Sequence, residues 1–159
     1  MAIEKNELRR VMGHFATGVT IITTHAKDGE LFGLTANAVT SLSLIPPLVL
    51  VCVDKKADSY PHFEESKVFT VNILCSEQED LSRRFAVSGG KKFEGVAYRV
   101  GANGAAILNK ILGYLECTVV GSYDGGDHTI YIGEVEQAES QAGGEPLLFY
   151  RGGYRSIGG

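Results

Sequence analysis

The sequence predicts a mainly β fold, a closed antiparallel barrel with a few helices packed outside it. Three observations carry this. Most apolar runs are short, rich in β-branched residues and joined by Gly- or Pro-containing turns of hairpin length. Helical signals are confined to the start and the middle of the chain. The β–α alternation that a parallel, doubly wound sheet requires is missing.

The elements follow in order. Leu8, Val11, Met12 and Phe15 stand at i, i+3, i+4 and i+7, so the chain opens with a short amphipathic helix. Val19 to Thr24 reads as a strand ending at Lys27-Asp28-Gly29-Glu30, whose Asp-Gly pair signals a hairpin turn, and Leu31 to Ala36 returns. Pro46-Pro47 breaks the chain before a strand from Leu48 to Val53. Asp58-Ser59-Tyr60-Pro61 is a helix start, with proline tolerated in the first turn. Lys67 to Leu74 is a further strand, and Ser76-Glu77-Gln78-Glu79 has the spacing of a capping box opening a helix with Leu81 and Phe85 on one face. After a loop at Ser88–Lys92, short strands are expected near Tyr98–Val100 and Ala106–Leu108. A long strand from Ile111 to Tyr123 turns at Asp124-Gly125-Gly126-Asp127 into His128–Ala138, and Gly143-Gly144 turns into Pro146–Tyr150, giving seven or eight strands in all.

At 159 residues the chain is expected to be one domain, 1–159, with a single sizeable core. Its 15 Lys+Arg against 19 Asp+Glu leave a net charge of −4, which argues against a nucleic-acid partner, since such domains carry a basic stripe. The charge is uneven: Arg83 to Lys110 holds six bases and one acid, a local +5, whereas Ile111 to Tyr150 holds seven acids and no Lys or Arg. A basic segment of this kind either attracts a small anion or forms a solvated surface loop. The 20 glycines exceed the usual share of about 7% and point to tight turns or to backbone approached by a ligand.

The longest apolar run, Leu44 to Val53, contains two prolines and is too short for the roughly 20 residues of a membrane-spanning helix. Met1 to Arg10 is charged and lacks the apolar core of a signal peptide. Cys52, Cys75 and Cys117 stand alone in apolar, strand-like runs, as buried reduced thiols do. These features lead to the expectation of a cytoplasmic protein with no membrane partner.

Several chemistries find no support. No GxGxxG follows a strand, and no GxxxxGK[ST] is present. The four histidines (His14, His25, His62, His128) are scattered without HExxH or metal-type spacing, so no metal site is expected. No GxSxG elbow occurs.

Three stretches remain. Gly33 to Ser43, followed by Pro46-Pro47, is dominated by small and hydroxyl-bearing residues; it leaves backbone groups open to a flat, polar-edged ligand, or is simply a Ser/Thr-rich strand edge and turn. Asp54-Lys55-Lys56-Ala57-Asp58-Ser59-Tyr60 sets two ammonium groups and a hydroxyl before a helix N-terminus, which suits a phosphate or a capped helix with solvated lysines. Gly125-Gly126-Asp127-His128-Thr129 places an Asp and a His at a strand start, functional or a β-turn whose Asp bonds its own backbone.

In that order and spacing the three stretches resemble the flavin reductase-like family, which includes the small reductase components of two-component flavin monooxygenases. Phe15-Ala16-Thr17-Gly18-Val19 is similar to the family's F-A-T-G-V start. Thr35-Ala36-Asn37-Ala38 with Ser41-Leu42-Ser43 and Pro46-Pro47-Leu48 is similar to its T-A-N/S…S-x-S-x-x-P-P block. Phe69-Thr70-Val71-Asn72-Ile73-Leu74, Leu81 to Ala86, Gly126-Asp127-His128 and Tyr150-Arg151-Gly152-Gly153-Tyr154 also match, so the resemblance runs from about Leu8 to Tyr154.

The resemblance implies an FMN-binding split β-barrel of antiparallel Greek-key type, a homodimer, FMN (or FAD) near the subunit interface, and NADH or NADPH as co-substrate. It implies that Thr35, Ala36, Asn37 and Ala38 line the ribityl chain and ring edge, and that Ser41, Leu42 and Ser43 line the ring. Cys52, Val53 and Asp54 would run beside the flavin, and Lys55 or Lys56 with Ser59 would hold the phosphate. Phe85 and Ala86 would close the pocket, Arg83 and Arg84 would adjoin it, and Lys91 and Lys92 are expected in a solvated loop. His128 would contact the nicotinamide dinucleotide or the flavin side chain, positioning its ligand rather than taking a proton, with Tyr154 at the same mouth. Hydride transfer from NAD(P)H C4 to flavin N5 needs two rings held together and no general base, in keeping with the lack of a catalytic dyad. The expected function is an NAD(P)H:flavin oxidoreductase supplying reduced flavin to a partner oxygenase. The alternatives are a flavoprotein that retains FMN and passes electrons to ferric iron or another redox protein, and a flavin- or haem-binding barrel without reductase activity.

Overall fold

The computed structural model describes residues 1–158. In chain order its elements are α1 (Lys5–Met12), β1 (Thr17–Gly18), β2 (Thr20–His25), β3 (Leu31–Ala36), β4 (Val39–Leu44), β5 (Pro47–Asp54), α2 (Tyr60–Ser66) and β6 (Val68–Ile73). A 3-10 turn at Ser76–Gln78 then leads into α3 (Glu79–Phe85), β7 (Tyr98–Val100), β8 (Ala106–Leu108), β9 (Gly113–Gly125), β10 (His128–Ser140), β11 (Leu148–Tyr150) and β12 (Gly153–Arg155). Among the described residues, no helix is long and apolar enough to cross a membrane.

Seven strands form one antiparallel sheet in the order β3-β2-β6-β9-β10-β5-β4. β7 and β8 make a separate hairpin, and β1, β11 and β12 a small third sheet. The closed barrel expected from sequence is not formed: β3 and β4 are the two edges, although only Asn37 and Ala38 lie between them. The reason is local. These two residues carry the chain from one edge to the other instead of making a hairpin, and the Ala38 carbonyl accepts from the Cys52 N–H of β5 (3.0 Å). The sheet is therefore open along the Thr35–Ala38 stretch.

Two apolar clusters pack on opposite sides of β2. Ile22, Val51, Val53, Phe63, Phe69 and Tyr131 belong to one, under α2; Ile21, Leu74, Phe85, Ile107 and Leu108 belong to the other, under α3 and the β7–β8 hairpin. A strand covered on both faces has no polar side to show, which is why Val19–Thr24 lacks hydrophobic alternation. The hairpin is tied down by polar groups in the core. Asn72 accepts from the Leu108 N–H (2.9 Å) and donates to the Ile21 carbonyl (3.1 Å), while the Thr23 hydroxyl donates to the Ala106 carbonyl (2.6 Å).

Three local expectations shift. The capping box lies one residue early, with Cys75 as the cap and the Gln78 side-chain oxygen accepting from the Cys75 N–H (2.9 Å). Ser59 precedes α2 without capping it. The amphipathic α1 buries none of its residues, so Leu8, Val11 and Met12, with Phe15 beyond, face outward.

Candidate functional site

The open edge of the sheet is the rim of a polar cleft of about 270 Å³. β3 and the link to β4 supply Leu34, Thr35, Ala36, Asn37 and Ala38; β5 and the turn after it supply Cys52, Asp54, Lys56, Ala57 and Asp58. The end of α3 and the loop beyond give Phe85, Ala86, Val87, Ser88 and Lys92, and the first residue of β10 gives His128. Strand geometry explains the selection. Side chains alternate across a sheet, so Cys52 and Asp54 reach the cleft while Val53 between them lies fully buried in the core. His128 stands opposite Asp54 in the β5–β10 ladder, which brings the Gly-Asp-His turn to the cleft.

The cleft thus collects Thr35, Ala36, Asn37, Ala38, Cys52, Asp54, Lys56, Phe85, Ala86 and His128 from the residues singled out in the sequence. The others lie elsewhere in the single chain. Ser41, Leu42 and Ser43 are on the edge strand β4, outside the cleft, because that strand runs away from the opening. The Lys55 ammonium is drawn off by a salt bridge to Asp124. Arg84 donates to the Glu94 (2.7 Å) and Lys92 (3.4 Å) carbonyls and so fastens the loop rather than lining the cleft. Tyr154 is not at the mouth: its hydroxyl meets Ser82, and the Arg83 guanidinium lies over its ring at 4.8 Å.

Ser59, next to Asp58, is 1% exposed, and its hydroxyl has no hydrogen-bond partner among the described residues. An unpaired buried hydroxyl costs roughly 1–3 kcal/mol, so a group of this kind calls for a partner beyond the side chains around it. The Thr17 hydroxyl is likewise buried without a partner, and Thr17 lines a neighbouring apolar groove of about 740 Å³ with Met12, Phe15, Val39, Leu50, Ile73 and Leu115. Cleft and groove share Asn37, Ala38 and Cys52. Ser59 itself does not line the cleft, although Asp58 beside it does. A polar cleft carrying Lys56 and adjoining an apolar groove suits a molecule that is anionic at one end and flat and aromatic at the other.

Charge within the site is arranged by neighbours. The His128 ring nitrogen Nδ1 lies 2.7 Å from the Asp127 carboxylate, and this contact holds the Asp127 carboxyl below the usual carboxylate range. Lys55 does the same for Asp124. Burial pushes the Cys52 thiol up, and pushes Cys117 up to about 12 with help from Glu136 and Glu116, so both are poor nucleophiles.

Of the cleft residues, sequence reasoning missed Val87, Ser88 and Lys92, and Lys92 is the charged one. Instead of being solvated, its ammonium donates to the Gly33 (3.2 Å) and Phe85 (3.3 Å) carbonyls, and burial pushes it below the usual lysine range against the pull of Asp58. The +5 segment was its only sequence signal. Among the described residues, no group of three or more His, Cys, Asp or Glu is placed to hold a metal ion.

Comparison with known proteins bears on this geometry. A family model described as flavin reductase like domain matches residues 12–158. The reductase component of a 4-nitrophenol 4-monooxygenase/4-nitrocatechol 2-monooxygenase from Rhodococcus opacus is 45% identical over 151 residues, covering 94% of this chain and 80% of that protein. Nitrilotriacetate monooxygenase component B from Mycobacterium thermoresistibile superposes with a TM-score of 0.92 at 41% identity, over 96% of this chain and 86% of the other. The NADH:FAD oxidoreductase SgcE6 of Streptomyces globisporus, solved with NAD and FAD fragments, superposes with a TM-score of 0.90 at 40% identity, over 96% and 92%.

Proposed function

Because the chain belongs to the flavin reductase-like family, we propose that the polar cleft and the apolar groove joined to it hold FMN, or the FMN half of FAD, between them. The chain is an NAD(P)H:flavin oxidoreductase that supplies reduced flavin to a monooxygenase. A flavin bound there supplies the chemistry itself, accepting a hydride at N5 from C4 of the reduced nicotinamide.

The protein's own residues hold and exclude. Lys56, which lines the cleft, balances the charge of the phosphate, and Ser59, buried without a partner next to the lining residue Asp58, donates to it from behind. Backbone groups of Thr35 to Ala38, at the open sheet edge, bond the ribityl chain and the polar rim of the ring. The ring lies toward the apolar groove, where Cys52 and Val39 keep water away. His128, oriented by Asp127, holds the nicotinamide nucleotide at the mouth without exchanging a proton with it.

The observation that carries this reading is the orphaned Ser59 hydroxyl. Flavin fluorescence titration of Ser59→Ala tests it. A lost charge-assisted hydrogen bond, about 1.5–3 kcal/mol, predicts FMN binding weakened roughly tenfold or more with riboflavin binding unchanged. Equal effects on both flavins would remove Ser59 from the phosphate site. A wild-type protein that oxidised NADH no faster with added FMN, FAD or riboflavin would overturn the flavin assignment.

The homodimer rests on the uncovered apolar side chains of α1 and the groove beside it, a contiguous patch of the kind that marks an interface. Light scattering coupled to size exclusion would give twice the chain mass, and Leu8→Glu with Met12→Glu would lower it. A reducing, cytoplasmic setting fits three free cysteines and a nicotinamide substrate.

A further inference from the structure

Part of the polar cleft is walled by a loop. Residues 87–91 follow α3, are exposed throughout, and bring Val87 and Ser88 to the cleft. Both ends of this loop are fixed. Phe85, before it, is 1% exposed, and Phe93, after it, packs edge-on against the Phe85 ring at 5.0 Å. The Lys92 ammonium donates to the Phe85 carbonyl across the base of the loop and to the Gly33 carbonyl of β3. Arg84 holds the Glu94 and Lys92 carbonyls from the helix side.

Between these anchors the chain is barely held. Gly89 and Gly90 both have positive φ (84° and 76°), and a Cβ on either would meet nothing within 4 Å, so the turn stands in open space. Among the described residues a single hydrogen bond reaches residues 87–90: the Gly89 N–H donates to the Asp58 carboxylate. Asp58 lines the cleft from the turn between β5 and α2. The bond therefore ties together two walls of the cleft that come from distant parts of the chain. Being exposed, it competes with water and opens far more readily than the core beneath it.

We propose that residues 87–91 form a strap over the cleft, closed by the Asp58–Gly89 hydrogen bond, and that Asp58 thereby sets how fast flavin enters and leaves. The proposal rests on the reading of the cleft as the flavin site. A protein that supplies reduced flavin releases its ligand after each turnover, and a strap tied at one exposed point opens without disturbing the core. Asp58 has a second effect to be told apart from the first: its negative charge, in the same cleft as Lys56, repels a flavin phosphate.

Asp58→Asn keeps the size of the side chain and replaces a charge-assisted hydrogen bond with a weaker neutral one. Exchange of the Gly89 amide with water, followed by NMR, reads the tie directly and is expected to be several-fold faster in the variant. Stopped-flow fluorescence reads the opening. Association and dissociation rates of riboflavin, which has no phosphate, are both expected to rise several-fold, with their ratio little changed. FMN should follow the same pattern, with an additional gain in association from the lost repulsion. Faster FMN association with unchanged riboflavin rates would leave Asp58 a repelling charge and overturn the strap, as would an unchanged Gly89 exchange rate. If the wild-type protein binds neither flavin, the reading of the cleft itself falls, and the role of the strap with it.

Discussion

The Tyr154 hydroxyl lies 2.7 Å from the Ser82 hydroxyl, and the carbonyl of the same serine accepts a hydrogen bond from Thr35 (2.6 Å). The last strand of the chain is thereby linked through α3 to the rim of the cleft. Tyr154→Phe keeps the ring against Phe149 and removes one hydrogen bond. It is expected to cost about 1 kcal/mol in urea unfolding, and Thr35→Val a similar amount, with the two effects less than additive because both act on Ser82.

His128→Gln is expected to release Asp127. With His128 in place the carboxyl titrates below the usual carboxylate range; without it, the carbon-13 resonance of that carboxyl should titrate at higher pH. Since the folded-state value is depressed, its contribution to stability is present above the unfolded carboxylate pKa and lost as pH falls through the folded one. Steady-state kinetics should show KM for the nicotinamide nucleotide rising several-fold in the variant, and an unchanged KM would separate His128 from nucleotide binding.

Lys92 gives the opposite sign. Burial holds its folded pKa below the ordinary lysine value of 10.5, so between those two values the unfolded chain binds more protons than the folded one. Stability therefore rises with pH through that window. The difference in unfolding free energy between wild type and Lys92→Met, followed from neutral pH to pH 10.5, should shift in favour of the wild type as the pH increases. A flat difference would mean that the ammonium is well solvated.

The thiols should separate by position. Cys75 and Cys117 are buried, and Cys117 is pushed up to about 12, so neither should react with a maleimide at pH 8 until the protein is unfolded. Cys52 lines both cleft and groove. It should react slowly, and saturating FMN should slow it further.

Gly133 is a packing constraint. A Cβ there would lie 2.5 Å from Phe69 and 2.8 Å from Cys117, both in the core. Gly133→Ala is expected to destabilise the fold by about 2–3 kcal/mol, read as a lower urea midpoint with an unchanged slope.

Much of this arrangement is legible in the sequence because it depends on local chemistry. The Asp28-Gly29 turn, with Gly29 at φ 91°, fixes the β2–β3 hairpin, and the short β7 and β8 strands fall where the sequence places them. β12 was not legible, since Gly153-Tyr154-Arg155 is too short to carry a pattern and is held as a strand by its ladder to β11. Sheet closure depends on which backbone groups Asn37 and Ala38 find, a tertiary outcome with no composition signal. For the site, strand alternation should have separated Val53 from Cys52 and Asp54 at once. The displacement of Lys55 toward Asp124 depends on a partner 69 positions away, and Lys92 on carbonyls of two separate elements. Neither is visible along the chain.

The uncovered apolar face that α1 shares with the groove has a consequence for how the protein behaves on dilution. Met12 and Phe15 belong at once to the exposed surface of the single chain and to the wall of the groove beside the cleft. Whatever covers that surface also finishes the wall. If a second copy does so, mass action couples subunit association to ligand occupancy: the apparent flavin affinity falls as the protein is diluted, and added flavin holds the subunits together.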